Sequence, residues 1–160
     1  MLLKKTCEIA IFLMILSIIP GFAQERTKIN DTKAKKMLVG KHLFSLQWIS
    51  WEYFGLVNVT EKAGVLYLKG EQNSRENDDF VSIDGVITTV DAKSFTFEGT
   101  IITKVSHINS GEECIREGAA TFAIKGNRKY WRLQEEDKPF GGVAGAWYIF
   151  FLKNDPVINF

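Results

Sequence analysis

From Gly40 onward the chain is written with a period of two. Phe95, Phe97, Gly99, Ile101, Thr103 and Val105 fall on one side of an extended segment, and Ser94, Thr96, Glu98, Thr100 and Lys104 fall on the other. Alternation of this kind belongs to a strand with one face in a core, and it excludes an amphipathic helix over the same residues. Eight such runs, rich in β-branched and aromatic residues, cover 42–51, 56–60, 65–72, 80–90, 94–105, 114–125, 130–134 and 146–152. The connectors at 61–64, 91–93, 109–112 and 126–128 are short and carry Gly, Asn, Asp or Ser. Turns this short join only antiparallel neighbours.

Long strands in a simple meander curl and close, because closure removes exposed edges. Gly70, Gly85, Gly99 and Gly118 lie inside strands, where propensity disfavours them, and three of them follow an acid: Asp84, Glu98 and Glu117. Interior glycine lets a sheet bend at a barrel corner, so the recurrence predicts equivalent bends on neighbouring strands. The expected fold is all-β: an eight-stranded antiparallel up-and-down barrel of calycin-like form, with an open twisted sheet or sandwich as the rival.

Residues 1–23 stand apart. A basic start with Lys4 and Lys5, an apolar run over 9–19, and the small residues Gly21 and Ala23 make a secretory signal peptide with cleavage expected after Ala23. Eleven apolar residues are too few to span about 30 Å of hydrocarbon. The later apolar run at 146–152 is seven residues long, so no transmembrane helix is expected after cleavage. Residues 24–39 hold seven charged side chains and read as a tether with a helical turn or two near 32–38, leaving 40–160 as the barrel domain. The expected location is outside the cytoplasm, periplasmic or extracellular.

Cleavage removes Lys4, Lys5 and Glu8 from totals of 20 basic and 19 acidic residues, leaving 18 of each. A net charge of zero argues against a nucleic-acid partner. Cys7 leaves with the leader, so Cys114 is the one remaining thiol and no internal disulfide can form.

Five segments together carry a resemblance: Ile83-Asp84-Gly85, Phe95 to Gly99, Val105 to Asn109, Cys114 to Gly118, and Arg128 to Gln134. In these the chain resembles a family of uncharacterised exported bacterial proteins of similar length. The resemblance implies a compartment and a domain, and no reaction. Relatives in that family carry a second Cys after the Trp-Arg-Leu-Gln segment, whereas Glu136 to Phe140 here has none. A disulfide from the position of Cys114 would therefore be lost, leaving a thiol free to cross-link two chains.

Little in the sequence spells chemistry. His42 and His107 are the two histidines, and no zinc spacing, nucleophile elbow or phosphate cradle is present, so no metal and no cofactor are expected. The spacing of His107 and Cys114 is compatible with a thiol–imidazole pair across a hairpin, but nothing supplies an oxyanion hole. Asp84, Glu98 and Glu117 would make an acid/base pair if they pointed inward; the alternation places Glu98 opposite Phe97, toward solvent. Arg128 to Arg132 mixes basic and aromatic residues, which reads as a turn entering a strand with Trp131 in the core.

The expected function is a non-enzymatic binding module for an apolar small ligand or a protein partner. Phe44, Trp48, Phe97, Ile101 and Trp131 are the expected lining, being the bulky residues on the inferred inner face. The final strand is apolar on both sides, so Tyr148, Phe150 and Leu152 are expected at an interface with a partner or a second copy, as a dimer. A small hydrolase-like enzyme using the strand carboxylates is the third reading.

Overall fold

The computed structural model describes residues 25–134 and 149–153. Among these residues nine strands and one α-helix follow in order: β1 (Lys28–Ile29), α1 (Thr32–Leu38), β2 (Gly40–Leu46), β3 (Gly55–Lys62), β4 (Val65–Asn73), β5 (Phe80–Val90), β6 (Ser94–Lys104), β7 (Cys114–Ala123), β8 (Tyr130–Leu133) and β9 (Ile149–Lys153), with a short 3-10 turn at Asn109–Gly111. From β5 the pairing runs through β4, β3, β2, β9, β8, β7 and β6 and returns to β5. Each of these eight steps is antiparallel. The expected all-β, antiparallel barrel-like fold is therefore present, with β6 pairing back to β5. Closure is narrowest between β7 and β8, where only Phe122 faces Leu133 and Ala123 faces Arg132.

The glycines do what their spacing suggests. Gly85 faces Gly99, and Gly99 faces Gly118, so three glycines line up across β5, β6 and β7. The ring of Phe97 lies over the first two: a Cβ on either would come within 2.7 Å of it. Strands bare of side chains at one level can bend inward and accept an aromatic ring from a neighbouring position. The hairpin between β3 and β4 is tighter than expected. Two residues make it, Ala63 and Gly64, both at positive φ (53° and 81°), as the right-handed twist of the flanking strands requires.

Connectors alternate between the two ends of the ring. Residues 63–64, 91–93 and 124–129 lie at one end, and 47–54, 74–79 and 105–113 at the other. The first is closed by the segment expected as a tether. β1 pairs in parallel with Thr89 and Val90, continuing the edge of β5 beyond the last β4 partner, Ile87. Thr27 sits in the notch between β4 and β5, its Oγ1 donating to the Ile87 carbonyl at 2.6 Å and accepting from Leu66 N–H at 2.8 Å. Asp31 caps α1 by accepting from Ala34 N–H. One helical turn apart, Ala34 and Leu38 are 3% and 1% exposed and belong to the core. The charges at 25–36 occupy the outer side of this cap, which is why the segment reads as solvated tether in sequence.

The core is aromatic. Phe95 stacks on Phe122 at 5.0 Å between ring centres, and Phe97 and Trp131 meet that pair edge-on. His42 presents its ring edge to Trp131, and its Nε2 lies 2.7 Å from the Leu38 carbonyl, which joins β2 to the helical cap. Of the eight expected runs only 80–90 keeps both bounds; most others shift by one or two residues, and the first and last shift further. β2 ends at Leu46 and turns, with Ile49 N–H donating to the Leu46 carbonyl, because Trp48, Ile49 and Trp51 belong to a loop; β6 stops at Lys104 and β7 at Ala123.

Candidate functional site

Among the described residues, three connectors frame the end of the barrel opposite α1: 47–54, 74–79 and 105–113. Buried polar side chains tie them together. Gln72, 1% exposed near the end of β4, accepts from Leu46 N–H through Oε1 at 2.7 Å. Its Nε2 donates to the Tyr53 carbonyl at 3.1 Å. The Tyr53 hydroxyl accepts from Arg75 N–H at 2.9 Å, and the Arg75 guanidinium lies over the Tyr53 ring at 4.3 Å. On the other side Asp79, 6% exposed, accepts from the Ser106 N–H at 2.8 Å and from the Ser106 hydroxyl at 3.2 Å. Asn77 Nδ2 donates to the same carboxylate. Two buried acceptors thus lock three loops into one frame, since leaving such groups unpaired would cost about 1–3 kcal/mol each.

Below this frame the inward register positions turn polar. Thr103 faces Cys114, and Ile101 faces Arg116. Thr103 is buried; Cys114 and Arg116 are half-buried. Burial pushes the Cys114 thiol upward, against the opposing effects of a hydrogen bond with Thr103 and the nearby Arg116 charge. A thiol held protonated is a poor nucleophile. His107 is exposed in the 105–113 connector. Among the described residues no three His, Cys, Asp or Glu side chains gather as a metal site, and no helix is long and apolar enough to cross a membrane.

The expected lining divides. Phe44 and Phe97 are fully buried and Ile101 and Trp131 are 4% exposed, so these four pack the core. Trp48 belongs to the turn after β2, half-buried against the core at the loop-bearing end, rather than to a strand. Nearby Trp51 is 59% exposed. Of the expected interface, Tyr148 lies outside the described residues. Phe150 pairs with Ser45 and Arg132, and Leu152 with Leu43 and Tyr130. Leu43 is followed across the sheet by Leu56, which is 52% exposed, so Tyr130, Leu152, Leu43 and Leu56 are successive register partners on four adjacent strands.

The register sets the three carboxylates on adjacent strands without burying any of them. Asp84, Glu98 and Glu117 are exposed on the outer wall, as the alternation implies. Asp84 accepts from Lys69 at 2.6 Å, and that bond raises the lysine's pKa. Parity is the physical reason for Asp84 and Glu98: each precedes a glycine whose added Cβ would meet the Phe97 ring.

Sequence reasoning missed Gln72 and Asp79. Both carry a signal in hindsight: a polar residue at an inward position of a strand, and an acid next to the first strand residue after a turn. Parity had placed Thr103 on the face of Phe97 and Ile101, but Arg116, which the register sets opposite Ile101, was passed over.

A protein-family model covers residues 26–144 of the chain, and its description is the PM1083 family. An uncharacterised protein of Pasteurella multocida (strain Pm70), PM1083, is 42% identical over 120 residues, which is 75% of this chain and 77% of that protein. No solved structure matches. On that coverage and identity, the chain belongs to the PM1083 family of uncharacterised proteins.

Proposed function

We propose that this protein is a non-enzymatic binding module, exported from the cytoplasm, that takes an apolar small molecule at the loop-bearing end of its barrel. One observation carries the reading: three connectors are joined by hydrogen bonds of Gln72, Tyr53 and Asp79, which supports a ligand site held in place before a ligand enters. Preorganised concave mouths of β-barrels are common ligand sites, and a few convergent polar groups inside fix orientation. Thr103, Cys114 and Arg116 supply such groups, while Trp48 and Trp51 supply apolar and aromatic surface at the rim. The apolar leader and its small-residue cleavage site support export.

The test uses N-phenyl-1-naphthylamine, an uncharged apolar fluorophore, titrated into the purified protein. A saturable rise in probe emission, with transfer from tryptophan that Trp48→Phe largely removes, is the expected result. Linear, unsaturable partitioning would end the small-ligand reading. Export is tested separately by the mass of the accumulated protein, which should begin at Gln24; a mature mass that retains residues 1–23 contradicts it.

A second reading is favoured by a different feature, the apolar row of Leu43 and Leu56 with the register positions of Leu152 and Tyr130. There the outer wall would dock on a protein partner or a second copy. A light-scattering mass of one chain, unchanged by Leu56→Lys, removes the second copy from consideration.

A further inference from the structure

A net charge of only +1 conceals a strong separation of charge. The segments at the helix end, 25–39, 63–64, 91–93 and 124–129, carry nine Lys and Arg against three Asp and Glu. The connectors at the opposite end, 47–54, 74–79 and 105–113, carry six Asp and Glu against one Arg. Strands of ten or eleven residues, rising about 3.3 Å per residue and tilted by about 40°, set the two ends roughly 25 Å apart. The Debye length in physiological salt is about 8 Å, so neither end screens the other and each presents its own sign.

The basic end has a second property. Met37 and Val39 are each 39% exposed, among exposed Lys33 and Lys36. Lys125, Arg128 and Lys129 are exposed in the β7–β8 connector at the same end. Lys35 is spent internally on Glu61 at 2.7 Å, but Lys36 is beside a shallow groove with Thr32 and Val39. Lys125 and Arg128 flank a second groove.

We infer that the helix end of this barrel docks on an anionic membrane surface, with Lys33, Lys36, Lys125 and Arg128 on phospholipid headgroups and Met37 and Val39 entering the interface. A bilayer with anionic lipid matches both features, charge outside and hydrocarbon beneath, whereas a soluble polyanion matches only the first. The acidic end is repelled by the same surface. The barrel therefore stands upright, with its loop-framed mouth turned toward water.

Each basic residue near an anionic surface contributes about fivefold to binding, which follows from about 1 kcal/mol per Lys or Arg. The purified protein, in the form the cell accumulates, is sedimented with vesicles of phosphatidylglycerol and phosphatidylethanolamine (30:70) and with pure phosphatidylcholine vesicles. The expected result is binding to the first and not the second, weakening steeply between 50 mM and 500 mM salt. Lys36→Glu with Arg128→Glu should weaken binding by at least about 25-fold, while Glu112→Gln with Glu113→Gln at the far end should leave it intact. Far-UV circular dichroism of each variant checks the fold, and the salt dependence of the unaltered protein needs no variant at all. Equal binding to both vesicle types, or a loss caused by the far-end variant instead, overturns the assignment. So does a salt-sensitive growth in light-scattering mass without vesicles, which would make the acidic end of a second copy the true partner. None of these outcomes depends on whether N-phenyl-1-naphthylamine binds at the mouth.

Discussion

Replacing Gly99 with alanine probes the bend on which the barrel turns. A Cβ there would come to 2.3 Å from the Asp84 carbonyl oxygen, 2.6 Å from Gly85 Cα and 2.7 Å from the Phe97 ring. Carbon atoms rest about 3.5–4.0 Å apart, so all three contacts are too close. Two of them are backbone atoms of the paired strand, and relief requires β5 and β6 to separate. Overpacking alone costs about 1–3 kcal/mol; with ladder hydrogen bonds stretched as well, Gly99→Ala should cost about 3 kcal/mol. Gly118, its neighbour on β7, provides the control. It has nothing within 4 Å of an added Cβ but a φ of +103°, so Gly118→Ala meets backbone strain only, about 1–2 kcal/mol. Urea unfolding followed by tryptophan fluorescence and circular dichroism measures both. At a slope of about 2 kcal/mol/M, Gly99→Ala lowers the midpoint by about 1.5 M. A Gly99→Ala protein within about 0.5 kcal/mol of the unaltered one, the usual range for an inconsequential surface change, would refute the close approach of the strands. A Gly118→Ala cost exceeding that of Gly99→Ala would refute the division between crowding and strain.

Other outcomes follow from the cap and the mouth. Leu38→Ala should cost about 2–5 kcal/mol in the same unfolding assay, since Leu38 is 1% exposed in the core; a loss under about 0.5 kcal/mol would return residues 25–39 to the status of a tether. Asp79→Ala leaves the Ser106 N–H without its acceptor and should cost about 1–3 kcal/mol, with Ser106 amide exchange accelerating; unchanged exchange would contradict the joining of the two loops. The Cys114 thiol is raised in the fold, so the folded state holds its proton to higher pH than the unfolded chain does. Stability from this group is complete below the unfolded thiol's pKa and is lost as pH rises through the folded one. The urea midpoint of the unaltered protein should therefore fall more between pH 7 and 10 than that of Cys114→Ala, and a smaller fall would contradict the shift.

Much of the architecture was legible because strand parity is local. Acid-glycine pairs at 84–85, 98–99 and 117–118 announced bends that the register then set side by side. Parity also placed Asp84, Glu98 and Glu117 outside. What escaped was non-local. Ala34 and Leu38 show only two buried positions among charged neighbours, too few to signal a packed helix before its docking surface is known. Trp48 carries the composition of a strand but serves a turn, because Gln72 on β4 takes the Leu46 N–H and ends β2's ladder there. The charge separation was hidden by summation: an up-and-down meander sends alternate connectors to opposite ends, and only the topology sorts their signs.

The closed ring is the claim on which both mouth and cap rest, and β9 is the strand that closes it. Cross-strand nuclear Overhauser effects in isotope-labelled protein test it directly. Phe151 should show backbone contacts to Phe44 on one side and to Trp131 on the other, matching its two register partners. Contacts from residues 149–153 to a single neighbouring strand would contradict the barrel and leave an open curled sheet.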